Sequence, residues 1–256
     1  MGFLDDTNSS LKKRSKWTTS YSRISIEEAE KRLNIRIDEI RAVPVDVMTS
    51  DSPTILKDAG IDKRTIANTK DEVYYHILQY LDIEGYPTEA SSDFKEANVS
   101  DLVLYIIGPI ISAMKKGGRK TLLKREKEII SADGQTGGME EFIVVDRVAI
   151  TEERSVLIIE AKRQSMGQAM TQILLAIRDA RENNLGGIIY GFVTTGDDWR
   201  MLKYDGKEFV MTEKFVVLFD TMSERKERWL QENAIIVDCM LIALTNGGTM
   251  TNSVAI

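Results

Sequence analysis

The sequence predicts a mixed α/β fold: helices first, then three antiparallel strands, a helix and a further strand. Three observations lead there. The segments "KTLLKREKEIIS", "EFIVVDRVAI" and "SVLIIEAK" are short, rich in β-branched residues and separated by turn material. A single amphipathic stretch, from about 166 to 183, follows them with Ala169, Ile173, Ala176, Ile177 and Ala180 on one stripe. The apolar run "GIIYGFVTT" (187–195) then reads as a buried strand. A lone crossover helix between strands points to a mixed sheet rather than a TIM barrel or a Rossmann unit.

The elements follow in chain order. Residues 1–24 are polar and read as a flexible tail, in which "LKKRSK" (11–16) has the composition of a nuclear-localisation patch. Residues 25–68 are expected to form a helical extension. It opens with "SIEEAEKRLNIRIDEIRAV" (25–43), where a Ser-x-x-Glu start precedes helical spacing of Ala29, Leu33, Ile37 and Ile40. The core is expected over 69–220, opening with a helix from about Thr69 to Leu81 that "EGYP" ends. The next helix is placed after Asn98 or Ser100 and runs towards Met114, with Pro109 kinking or splitting it. "GG" then breaks the chain before the three strands. Gly in "NNLGG" stops the crossover helix, and Asp205-Gly206 marks a hairpin within "WRMLKYDGKEFVMT". "FVVLFDT" reads as a last strand, and residues 221–256 supply a closing helix and tail, with Trp229, Ile235, Ile236, Met240 and Leu244 free to pack.

Composition removes several kinds of chemistry. With one Cys (Cys239) and one His (His76), zinc sites, His-based triads and Cys–His dyads lack material. A lone cysteine forms no internal disulfide, so a reducing, intracellular compartment, cytoplasmic or nuclear, is expected. No signal-peptide core or membrane span is read in the sequence; "DLVLYIIGPIISAMKK" is too short and holds Pro109. The net charge of −6 argues against a globally basic nucleic-acid binder. The charge is uneven, however: 115–128 holds seven Lys or Arg against two Glu. That run is either a solvated face or a phosphate-contacting patch built from Lys115, Lys116, Arg119, Lys120, Lys124 and Arg125, with Arg163 nearby in sequence.

The chemistry centres on "LIIEAKRQ" (157–164), an apolar strand that ends in Glu160, Ala161, Lys162 and Arg163. Pairing the second and third strands as a hairpin with "EER" (152–154) as its loop sets Asp146 opposite Glu160. Asp146, Glu160 and Lys162 then project from one face. Opposed Cβ atoms lie roughly 5 Å apart, and two carboxylates so close repel unless a divalent cation lies between them. Two plainer readings compete. On a helix, Glu160 and Lys162 would point apart. At a strand end, Glu-x-Lys is most often a surface ion pair.

Asp146, then thirteen residues, then "EAK" on the second strand of a hairpin resembles the PD-(D/E)XK nuclease superfamily, whose members share the restriction-endonuclease-like fold. The superfamily core runs helix, three antiparallel strands, helix, strand, the order read here from about 70 to 195. The run "GFVTTGDDWRMLKYDG" is similar to a strand segment in fungal PD-(D/E)XK domains, including Crinkler-type effectors. Val145 stands where the superfamily has Pro. The resemblance implies that Asp146, Glu160 and the Ala161 carbonyl ligate Mg²⁺ or Mn²⁺. It implies that Lys162 positions or deprotonates the attacking water, and that Gln172, in "TQILLAI", orients the site. Glu140 and Glu141 are alternative first acids, Gln168 an alternative to Gln172, and Glu72 a further ligand from the first helix. A Lys partly desolvated beside a metal is expected to have a lowered pKa.

The function implied is a metal-dependent phosphodiesterase acting on nucleic acid, DNA more than RNA, with a homodimer suited to double-strand cutting. Its rival is a PD-(D/E)XK-derived domain that binds nucleic acid or protein without cutting. His76 reads as structural, and Tyr190, Phe192 and Trp199 as core.

Overall fold

The computed structural model describes residues 16–86, 94–163 and 166–250. In chain order the elements are β1 (Thr19–Ser20), α1 (Ile26–Leu33), β2 (Arg41–Val43), α2 (Val45–Met48), α3 (Ser52–Asp58), α4 (Lys63–Glu84) and α5 (Glu96–Lys116). Then come β3 (Thr121–Ile130), β4 (Thr136–Arg147), β5 (Glu153–Ala161), α6 (Met166–Asn183), β6 (Ile189–Thr194), β7 (Asp198–Tyr204), β8 (Phe209–Thr212) and β9 (Phe215–Val216). The short α7 (Lys226–Arg228) leads through a π turn at Trp229–Asn233 into α8 (Ile235–Asn246).

The protein is a mixed α/β fold around one twisted sheet. Strands β3, β4 and β5 are antiparallel neighbours, β5 and β6 run parallel across α6, and β7 and β8 continue the sheet antiparallel. The expected order of helix, three antiparallel strands, helix and strand is observed from α5 to β6. Both faces are covered. On one side Phe142, Val144, Leu157, Ile159, Tyr190 and Phe192 meet the buried faces of α4, α5 and α8. On the other, Ile143, Val145, Ile158, Ile189 and Val193 meet α6 and α1. Tyr190, Phe192 and Trp199 belong to the core, as expected.

Helix α5 has the length and apolarity to span a membrane by those criteria alone, but Ile106, Ile107 and Ile110 are fully buried within the protein. Pro109 lies inside α5 without ending it. The helix starts earlier than expected because Asn98 is not its N-cap. The Lys95 N–H donates to Asn98 Oδ1 (2.7 Å), which makes Asn98 the third helical residue and puts Glu96 in the first turn. A carboxylate there complements the positive end of the helix dipole.

Two departures concern the N-terminal quarter. Residues 25–68 are not wholly helical: β2 adds to the sheet beside β8, in parallel register. The expected tail also ends early. Thr19 and Ser20 pair with Thr136 and Gly137 of β4, and Tyr21 is buried with its hydroxyl donating to Asp179 of α6 (2.6 Å). Most of the basic patch at 11–16 lies outside the described residues; Lys16 itself pairs with Glu128. "FVVLFDT" contributes only the two residues of β9.

The docking of Tyr21 requires Gly138. A Cβ at Gly138 would meet the Tyr21 ring at 2.5 Å and Glu140 Oε1 at 3.2 Å. Gly138→Ala is therefore expected to cost about 1–3 kcal/mol, read from urea unfolding, because the neighbouring ring is rigid and packed. The loss should shrink in a Tyr21→Ala background. Equal losses in both backgrounds would show that the ring is not what the methyl group meets.

Candidate functional site

Strand β5 carries its apolar residues between two helical layers and ends at Ala161, beside Thr194 of β6. The Lys162 N–H extends that ladder by donating to the Thr194 carbonyl (2.9 Å). This is the carboxyl end of the parallel pair, where open α/β sheets leave a crevice. Glu160 is only 4% exposed there. Its carboxylate meets Lys162 Nζ at 2.9 Å, and the same Nζ reaches Glu96 Oε1 of α5 at 2.7 Å. Burial raises the Glu160 pKa, against the pull of Lys162. For Lys162, burial lowers the pKa, but the carboxylates of Glu160 and Glu96 outweigh it and the net shift is upward. This balance belongs to the two carboxylates alone, whereas the lowered pKa expected from the sequence applies to a lysine beside a bound cation.

Two acids of β4 complete the cluster. Glu141 Oε2 accepts the Ala161 backbone N–H (3.1 Å), and the Glu141 backbone N–H in turn favours the charged form of Glu160. The two chains are thus latched at the point where their regular pairing stops. Glu140 is 2% exposed and lies on the Tyr21 side of the sheet, whereas Phe142 packs on the opposite side. Its Oε2 is buried without a hydrogen-bond partner. Burial, then the Glu160 charge, push the Glu140 pKa well up.

Asp146 takes no part. Its partner on β5 is Arg154, and on β3 Thr121. Six residues of strand separate Arg154 from Glu160, about 20 Å at the usual rise. The sequence-based register failed for two reasons. The β4–β5 connection spans 148–152, where the Val148 and Ala149 N–H groups both donate to the Glu152 carbonyl. A bulge then leaves Val156 unpaired between Ser155 and Leu157. Because the strands are apolar on both faces, alternation offered no check.

The other expected residues divide. Gln172 is buried on α6 with its Oε1 unpaired, whereas Gln168 is exposed on the first turn of the same helix. Glu72 is paired with Lys116 near the far end of α5 (3.8 Å), away from Glu96. The basic run is likewise at that far end, since Lys115 is nineteen residues, or about 28 Å of helix, from Glu96. Arg119 donates to the Leu244 and Thr245 carbonyls of α8, Lys124 pairs with Glu153, and Arg125 lies over the Phe142 ring. Lys120 precedes β3 opposite Arg147, to whose N–H its carbonyl is bonded. The basic run therefore does not gather beside the acids: α5 carries the chain away from the site before β3 brings it back. The backbone of Lys127 returns opposite Glu140, but its ammonium pairs with Glu153 (3.6 Å). Arg163 directly follows Lys162. His76 is exposed and edges the Tyr105 ring.

Glu96 is the site residue that sequence reasoning missed. The available signal was "KEAN", where Asn98 also reads as a third-position cap and leaves Glu96 inside the helix.

The donor set suits a hard cation. Among the described residues no three Asp, Glu, His or Cys side chains form a compact ligand group. Glu140 and Glu160 provide two carboxylates, and Mg²⁺ commonly takes one or two, filling its other positions with water and phosphate oxygens. The unpaired Glu140 Oε2 is the atom that a cation would satisfy. Compared with known proteins, the chain matches no family model and no curated sequence.

Burial raises the Glu141 carboxyl from 4.5 to about 7. The shift stabilises the fold fully below the unfolded pKa and is lost as the pH climbs through the folded one. In EDTA, the melting temperature is expected to fall between about pH 4.5 and about pH 7, and Glu141→Gln should flatten that fall. A slope unchanged by the substitution would remove Glu141 as its source.

Proposed function

We propose that the protein is a metal-dependent nuclease of the PD-(D/E)XK type, with the restriction-endonuclease-like fold, acting on DNA in preference to RNA. The observation that carries this reading is the meeting of Glu160, Lys162 and Glu140 at the carboxyl end of β5, with one oxygen of Glu140 buried and unpaired. The order from α5 to β6 supports it as well. The first acid of the pattern is then Glu140 or Glu141, not Asp146.

Glu140, Glu160 and the Ala161 carbonyl would hold Mg²⁺ or Mn²⁺. Such an ion, when bound, activates water and offsets charge on the scissile phosphate. Lys162, held by Glu96 at the edge of the site, would supply positive charge towards the phosphate. Glu141, bonded to the Ala161 N–H, would hold the end of β5 in place beside these acids. Gln172 supplies a buried amide to orient the acids. Arg163, next to Lys162 in the chain, is the cation that would meet the nucleic-acid backbone near the site.

A second reading is favoured by one observation. Lys162 is fully engaged by two carboxylates, as in a domain that keeps the fold for binding and has no turnover. The two readings part in a cleavage assay on labelled single- and double-stranded DNA and RNA with Mg²⁺, Mn²⁺ or EDTA. The nuclease reading expects metal-dependent cutting that drops at least about a hundredfold in Glu160→Ala and Lys162→Ala. It expects Asp146→Ala to cut like the wild type. Cutting that survives both site substitutions, or none by the wild type on any substrate, would sink the reading.

A further inference from the structure

We infer that Glu96 is a positioning residue: it retains the Lys162 ammonium when a divalent cation takes the Glu160 carboxylate. The inference rests on the metal-dependent reading above and adds a role that the motif residues do not define.

Lys162 Nζ bridges two unequal acids. It lies 2.9 Å from Glu160, whose side chain is 5% exposed, and 2.7 Å from Glu96, whose side chain is 52% exposed. The ammonium therefore occupies the neighbourhood in which a cation on Glu160 has to sit. Two positive charges on one buried carboxylate repel strongly, because little water screens them. A divalent cation arriving at Glu160 consequently displaces Lys162 from it. The lysine then needs another acceptor, since a partly buried ammonium without one is costly. Glu96 already holds it, and its own side chain is half in water. Its place in the first turn of α5 anchors it on a rigid element, with the Lys95–Asn98 cap fixing where that turn begins.

The arrangement makes Lys162 a competitor of the cation and Glu96 the group that weakens the competition. Removing Lys162 should tighten cation binding. Removing the Glu96 charge should weaken it, because Lys162 is left with Glu160 alone. The effect of Glu96 must vanish once Lys162 is gone. A Glu96 that ligates the cation directly gives the same single-variant result but keeps its effect in the absence of Lys162.

The test is calorimetric titration of Mn²⁺ into the full chain as wild type, Glu96→Gln, Lys162→Met and the double variant. The expected pattern is binding about tenfold weaker in Glu96→Gln, about tenfold tighter in Lys162→Met, and equal in the double variant and Lys162→Met. Thermal melts establish that each variant is folded, and Lys162→Gln replaces Lys162→Met if the latter is not. Weakening by Glu96→Gln in both backgrounds overturns the inference while leaving the metal site standing. So does a Lys162 variant that binds no tighter than wild type. Absence of Mn²⁺ binding in all four proteins overturns the metal-dependent reading and this inference with it.

Discussion

The burial of β5 on both faces is the constraint from which the rest of the structure follows. Five consecutive positions, Val156 to Glu160, are 4% exposed or less, with α5 and α8 packed on one side and α6 on the other. Such a strand leaves no face on which a charge can reach water, so any acid placed at its end has to be paired or neutral. Glu160 is paired with Lys162, Glu141 takes the Ala161 N–H, and Glu140 is pushed towards its neutral form. The acids are thereby held at high energy in one small volume. A structural role alone would be served better by apolar side chains there.

The surrounding scaffold keeps that volume closed. On the α6 side, the N-terminal segment runs across β4, and Tyr21 bonds to Asp179 while walling off Glu140. The pair Gly137 and Gly138 permits this approach, because a side chain at either would collide with Trp17 or Tyr21. At the other end of β5, the bulge at Val156 is steadied by Asn184, just after α6, whose amide both accepts the Ser155 N–H and donates to the Ser155 carbonyl. The backbone is therefore satisfied where the ladder lapses, as buried peptide groups require.

Charge is also distributed in a way that the linear sequence conceals. Helix α5 starts at the site with Glu96 and ends about 28 Å away in Lys115 and Lys116. Many of the cations after it then find local partners. Glu153 gathers Lys124, Lys127 and Arg147, while Arg119 closes the last turn of α8. Such a run in a sequence reads as a patch. In the fold it is a chain of separate ion pairs and caps, Lys127 included, and none of it is paired with Glu140, Glu141 or Glu160.

The sequence by itself determined the class of fold, the order from α5 to β6, the bounds of α6, and the place of Glu160 and Lys162 at the end of a buried strand. These are local quantities: period, β-branching and an abrupt change of polarity within a few residues. Tertiary structure alone decided the partners. Asp146 lies opposite Arg154 and away from Glu160 because register between strands buried on both faces depends on turn length and on one unpaired residue, Val156, neither of which alternation can record. Glu96 entered the site, and Glu72 stayed out of it, through the direction in which one helix runs from its cap. The upward shift of the Lys162 pKa came from the meeting of two carboxylates 64 positions apart in the chain, Glu96 and Glu160, which no local reading of "EAK" contains.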